Sequence, residues 1–294
     1  MFKRSKKLTL YPYWLSFPAL VIYSIVYIVP LVAVLFLSVT DWNARDFWSP
    51  KFIGIENIVS FFNDKNFAIA FKNTLVFAIV TTVFKTVLGF LLALALIRPL
   101  KTRNLIRMVY FIPAVLNSIV VGLVFSSMFR MNGLFTQVLS SVGIQAANID
   151  WLGNPKLSFP IIMFTEIWQW SGYSMVIFIA GMQSIPRELY EAASIDGASS
   201  FQQLKNITIP LLTTSFNFCI TIALIGGFKV FAPVYVLTNG GPGFETDVLA
   251  RFTLTTFNAG FYGKSSAISL VQSVLIIIIS LSLNSFMKKR EVEL

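Results

Sequence analysis

Histidine is absent from the 294 residues, and cysteine occurs once, at Cys219. Without histidine the chain lacks the commonest general base and metal ligand, and no nucleophile elbow or cysteine cluster takes its place. Catalysis and metal binding are therefore not expected, and the lone thiol, set in an apolar run, reads as a small packed hydrophobe. Charge is scarce too. Only 12% of residues are charged while 56% are hydrophobic, whereas soluble domains average about a quarter charged. This composition identifies an integral membrane protein. The net charge of +10 is dispersed rather than gathered with aromatics into a stripe, which argues against a nucleic-acid partner.

What is present is a series of apolar runs. A span of lipid hydrocarbon takes about 20 helical residues. Runs of that size lie near residues 14–37, 74–97, 108–129, 158–185, 211–238 and 265–286, which predicts an all-α protein with six transmembrane helices. The first follows Lys3, Arg4, Lys6 and Lys7, exceeds a signal-peptide core and lacks a small-residue cleavage site, so it is expected to remain as a membrane helix. Arg98, Lys101, Arg103 and Arg107 follow the second run, and Lys288, Lys289 and Arg290 follow the sixth. The positive-inside rule assigns both groups, and hence both termini, to the cytoplasm. The expected organisation is a tail at 1–13 and a membrane domain at 14–294.

The most informative polar interval, 186–210, falls on the inner side. Pro186 and Glu188 favour a helix start, Ala192 and Ala193 propagate the helix, and Gly197 supplies a left-handed corner. Ser199 and Gln202 then form a capping-box pattern opening a second helix.

The array Glu191-Ala192-Ala193, three residues, Gly197, nine residues, Ile207-Thr208-Ile209-Pro210 resembles the signature loop of membrane subunits of binding-protein-dependent ATP-binding-cassette importers. Ile209 stands where leucine is more usual, which keeps the position hydrophobic. The resemblance implies that Glu191, Ala192, Ala193, Asp196, Gly197, Ile207 and Pro210 form the coupling element that docks on a cytoplasmic ATPase. The outer segments carry Phe52-Ile53-Gly54-Ile55-Glu56-Asn57, Phe71-Lys72-Asn73-Thr74, Trp151-Leu152-Gly153 and Asn239-Gly240-Gly241-Pro242 with Thr246 beyond. These resemble loops of the carbohydrate-uptake branch, most closely the maltose-permease-F or glycerol-phosphate-permease-A type of subunit. Gly240, Gly241 and Pro242 are implied as a docking point for the solute-binding protein, although such a segment on its own is an ordinary tight turn. The family likeness runs from Trp14 to the last helix and implies a minimal six-helix version. Its expected setting is a bacterial or archaeal cytoplasmic membrane.

Within the spans, Glu166, Gln169, Trp170 and Tyr173 share one helical face, and Thr214, Asn217 and Thr221 follow the same spacing, with Lys229 further along. Hydrogen-bonding groups mixed with aromatics suit a sugar. Glu166, Gln169, Trp170, Tyr173, Asn217 and Lys229 are therefore expected to line a substrate pathway. Hydrogen bonding between helices is the competing role for Asn217 and the threonines. Charge at bilayer depth is costly, so Glu166 and Lys229 are expected to face a cavity or pair with each other, and Lys85 to snorkel toward the inner interface.

Gly263-Lys264-Ser265 lacks the preceding glycine of a phosphate loop, since position 258 is Asn. ATP and magnesium are thus expected on partner ATPase subunits and no cofactor on this chain. The implied partners are a second homologous permease, two ATP-binding subunits and an extracytoplasmic solute-binding protein. The reading is a non-enzymatic permease subunit importing a sugar or oligosaccharide. Import of a polyol phosphate, or ion-driven secondary transport, stands as the alternative; the latter would call for inverted repeats and midplane carboxylates.

Overall fold

A computed structural model describes residues 13–97, 101–143 and 149–288. The expected N-terminal tail, apart from Tyr13, lies outside the described residues, as do Arg98, Lys289 and Arg290. The first helix, α1 (Phe17–Ser38), is long and apolar enough to cross a membrane. It contains a single wide turn at Ser24–Ile28, immediately before Pro30. Proline removes a donor and crowds the carbonyl four residues earlier, and widening the turn relieves both.

The chain continues through the short α2 (Glu56–Phe62) into α3 (Lys65–Leu96), whose start Asp64 caps by accepting from the N–H groups of Asn66 and Phe67. Two further elements, α4 (Arg103–Val115) and α5 (Ser118–Met128), occupy the predicted third span. They do not form the one helix expected there. They meet at 100°, with Pro113 in the last turn of α4 and Asn117 capping α5 through Ile119 N–H at 2.8 Å. After α6 (Leu134–Ser141) comes α7 (Pro155–Ser184), a 30-residue helix that matches the fourth predicted span.

The 186–210 loop, predicted to be the inner one, holds α8 (Arg187–Ile195) and α9 (Ser200–Leu211), and α10 (Thr213–Phe228) leaves α9 at 63°. The wide turn at Leu204–Thr208 again precedes a proline, Pro210. The fifth span also departs from expectation, because its helix stops at Phe228 and the chain restarts as α11 (Ala232–Leu237). The short α12 (Leu249–Asn258) and the apolar α13 (Tyr262–Lys288) complete the all-α fold. Among the described residues there is no strand, only the isolated Thr40–Phe52 bridge.

The most extensive packing is of α3 against α7, followed by α3 against α10 and α4 against α7. Small residues permit the approach: a Cβ at Gly227 on α10 would lie 2.7 Å from Ala78 Cα on α3. Two hydrophobic clusters result. One contains Phe77, Phe125, Ile162 and Val234, the other Ala93, Phe178, Met182 and Leu212. On both α3 and α7 a polar layer separates them, containing Lys85 and Glu166. Outward faces are apolar and exposed, most completely on α1, where Ser38 is the only buried residue. Such a surface is suited to lipid or to a second membrane subunit.

Candidate functional site

A cavity of about 360 Å³ opens in the polar layer. Glu166, Trp170 and Tyr173 reach it from α7, Lys85 from α3, and Lys229 from the break between α10 and α11. The Trp170 and Tyr173 rings meet edge to face with centroids 6.2 Å apart. Lys229 follows the last residue of α10, where the partial negative charge of the helix C-terminus favours a cation.

Glu166 does not pair with Lys229. Its Oε1 accepts from Lys85 Nζ at 3.2 Å, with the two side chains only 8% and 3% exposed. Lys85 therefore does not snorkel. It lies eleven residues from the end of α3, about 16 Å at 1.5 Å per residue and beyond the reach of a lysine. A polar stripe of Thr74, Thr81, Thr82, Lys85 and Thr86 on the buried face of α3 was the available signal for this inward orientation.

Gln169 is buried but serves the bend in the preceding helix pair, since its Nε2 donates to Leu116 O at 3.1 Å. The side chain replaces a partner that the broken helix has lost. Asn217 points to the last helix: its Nδ2 donates to Asn284 Oδ1 at 3.3 Å, and its Oδ1 accepts from Thr221 Oγ1 at 3.3 Å. Neither Gln169 nor Asn217 lines the cavity. Four of the six predicted pathway residues thus come together, and two act between helices.

The inner loop follows its local signals closely. Gly197 has φ +77°, and the capping box is formed, Ser199 N–H donating to Gln202 Oε1 at 2.7 Å while Gln202 N–H donates to Ser199 Oγ. Pro186 stands one place earlier than expected, as the cap before α8 rather than within its first turn. Glu191, Ala192 and Asp196 face solvent, as do the large apolar side chains of Ile195 and Phe201, 87% and 70% exposed. The corner is tied to the membrane helices through Tyr190, whose hydroxyl lies 2.9 Å from Thr208 Oγ1, and Ile207 packs on the cluster containing Leu212. Pro210 opens the last turns of α9.

On the opposite side, Gly240 adopts φ +80° beneath the Arg251 side chain, and Thr246 Oγ1 donates to Gly241 O at 2.7 Å. Asn73 Nδ2 donates to the carbonyls of Glu245 and Asp247 at 2.8 and 3.0 Å, while Leu249 N–H donates to Thr74 Oγ1 at 2.9 Å. The Asn73-Thr74 and Gly240–Thr246 motifs, remote in sequence, are thus one structure. The fully buried Asp247 pairs with Arg251 at 2.5 Å. Burial pushes its carboxyl above the usual carboxylate range, partly offset by the Arg251 guanidinium and the Val248 N–H.

Residues 85–289 match the family described as binding-protein-dependent transport system inner membrane component. The chain is 36% identical to the probable ABC transporter permease protein YurN of Bacillus subtilis, covering 92% of this chain and 93% of that one. It is 32% identical to the trehalose/maltose transport system permease protein MalF of Thermococcus litoralis, covering 90% and 89%. In structure it resembles a chain of a bacterial alginate ABC transporter in complex with an alginate-pentasaccharide-bound periplasmic protein. That likeness has a TM-score of 0.82 at 23% identity and covers 94% and 93% of the two chains. The match over most of the chain shows that this protein belongs to the binding-protein-dependent inner membrane components, the permease subunits of ABC importers, and the exposed helix–Gly197–helix corner accords with that membership.

Proposed function

We propose that the chain is one half of a heterodimeric pore that imports a saccharide, driven by two cytoplasmic ATPase subunits and fed by an extracytoplasmic binding protein. The observation that carries this reading is the corner at Gly197, where Ile195 and Phe201 stand exposed on two short helices, the second opened by a capping box. An apolar pair on a rigid knob is what insertion into a cleft of an ATPase requires. Motion of that subunit would pass through Glu191–Gly197 and the Tyr190–Thr208 contact into α7 and α10. In this reading both termini and the corner face the cytoplasm, and Gly240, Gly241 and Pro242 face the binding protein.

The cargo assignment rests on the cavity and on the relatives. Trp170 and Tyr173 offer aromatic surface to a sugar ring, while Glu166, Lys85 and Lys229 offer partners to hydroxyls. The named relatives include trehalose/maltose and lactose permeases. The test is co-purification with a cytoplasmic ATPase subunit co-expressed from the same cell, wild type against Gly197→Asp, with uptake of labelled saccharides followed in the same cells. Loss of ATPase association in the variant, with membrane insertion intact, supports the reading. Uptake that survives ATP depletion and collapses with the ion gradient overturns it.

A further inference from the structure

We propose that a second cavity, between the coupling corner and the start of α4, holds the phosphate of an anionic phospholipid from the inner leaflet. This rests on the reading above that the corner faces the cytoplasm. The cavity measures about 440 Å³, and its walls differ in character. Residues such as Ile97 and Met182 form an apolar side, whereas Arg103 and Arg187 supply two guanidinium groups.

Both arginines are first residues of their helices, α4 and α8, and neither Thr102 nor Pro186 caps those helices with a side-chain hydrogen bond. Two helix N-termini, which carry partial positive charge, therefore border the cavity together with the guanidiniums of two exposed arginines. No carboxylate lines it. Among the described residues the ion pairs are Lys85–Glu166 and Asp247–Arg251 alone, and no described carboxylate pairs with either arginine. Arg107, one turn beyond Arg103, donates Nη2 to Leu96 O at 2.8 Å and keeps a buried Nε without a partner. Guanidinium forks and helix N-termini are the standard recognition elements for phosphate. The apolar wall selects an amphiphile over a free anion, because an acyl chain can lie against Ile97 and Met182 while its phosphate meets the arginines. Tyr190 and Thr208, which tether the coupling corner, line the same cavity. A bound lipid would thus bear directly on the contact through which the corner moves α7 and α10.

The experiment uses the importer co-purified with its ATPase from nanodiscs of 70:30 phosphatidylcholine and phosphatidylglycerol, with retained lipid quantified by mass spectrometry. Wild type is expected to enrich phosphatidylglycerol about tenfold over phosphatidylcholine, the discrimination that a charge-assisted contact provides. Arg103→Gln with Arg187→Gln should abolish the enrichment, and each single substitution should reduce it. Lys101→Gln, at an exposed lysine outside the cavity, should not. Saccharide-stimulated ATP hydrolysis should fall in pure phosphatidylcholine for wild type and become insensitive to lipid in the double variant. Equal retention of both lipids by wild type, or enrichment unchanged in the double variant, overturns the proposal. Displacement of the lipid by millimolar inorganic phosphate or glucose 6-phosphate also overturns it, since the site would then serve a soluble phosphate. None of these outcomes affects ATPase association, on which the transport reading is judged.

Discussion

Lys85 Nζ on α3 and Glu166 Oε1 on α7 are 3.2 Å apart at the centre of the most extensive helix contact in the protein, and both side chains border the candidate cargo cavity. The pair neutralises two charges at membrane depth and joins the two helices within the polar layer that separates the hydrophobic clusters.

Removing either partner leaves a buried charge uncompensated, which costs roughly 3–5 kcal/mol, whereas replacing both by apolar residues is far less damaging. Lys85→Met and Glu166→Leu are each expected to lower the melting temperature of the purified importer, and the double variant to recover most of the loss. Additive losses in the double variant would show that the two charges act independently.

Trp170 and Tyr173 present their rings to the cavity, whereas Gln169 on the same helix braces Leu116. Alanine at 170 or 173 should raise KM for saccharide uptake about tenfold, the equivalent of about 1.4 kcal/mol, with assembly unchanged. Gln169→Ala should instead reduce thermal stability and yield while leaving KM near wild type. The split between KM and stability, measured in proteoliposomes, checks both assignments.

Tyr190→Phe deletes the hydroxyl that meets Thr208 Oγ1 at 2.9 Å. A net hydrogen bond of this kind contributes about 1 kcal/mol, too little to unfold the loop. The expected result is normal ATPase binding with fewer saccharides transported per ATP hydrolysed. Unchanged stoichiometry would remove this contact from the coupling route.

The Asp247 carboxyl is held above the usual carboxylate range because burial disfavours its ionised form. The folded loop thus binds the proton more tightly than the unfolded loop does, so its stability falls as pH rises from the ordinary carboxylate value through the raised one. Hydrogen exchange of residues 239–252, corrected for the intrinsic rate, should show protection decreasing as pH rises above the ordinary carboxylate range. Asp247→Asn should flatten that dependence.

A β-branched side chain at Gly227 would press on Ala78 Cα, 2.7 Å from the position of its Cβ. Gly227→Val is expected to destabilise the α3–α10 contact by about 1–3 kcal/mol, read as a lower melting temperature. Gly226→Val, where no atom approaches within 4 Å, should be close to neutral.

The inner loop was readable from sequence because its determinants are local: a glycine at positive φ and a serine–glutamine capping box specify their own geometry. The long apolar runs likewise marked where helices lie. Their bends were not visible there. Residues 108–129 and 211–238 are predominantly apolar, and hydropathy carries no information about direction, although Pro113 and Asn117 flanked the first break. Polar residues were found by spacing, but their partners depend on which helices become neighbours. Lys85 was accordingly read toward the interface and Gln169 toward the pathway, and of the two settings read for Glu166, a cavity or a pair with Lys229, the structure has the cavity. The link from Asn73 to the carbonyls of Glu245 and Asp247 joins segments more than 170 residues apart, 172 and 174 in the chain. No local pattern encodes such a contact.

The two interrupted helices have an evolutionary consequence. Ser118 begins α5 after the 100° bend, and Ala232 and Pro233 begin α11 after Lys229, and all three border the cavity. Interrupted backbone at membrane depth is tolerated where it borders a water-filled space. Part of the polarity around the cargo is therefore supplied by main chain that every residue possesses. Substitutions at Trp170, Tyr173 and Lys229 can then change the side chains that border the cavity over evolutionary time while this main-chain polarity persists.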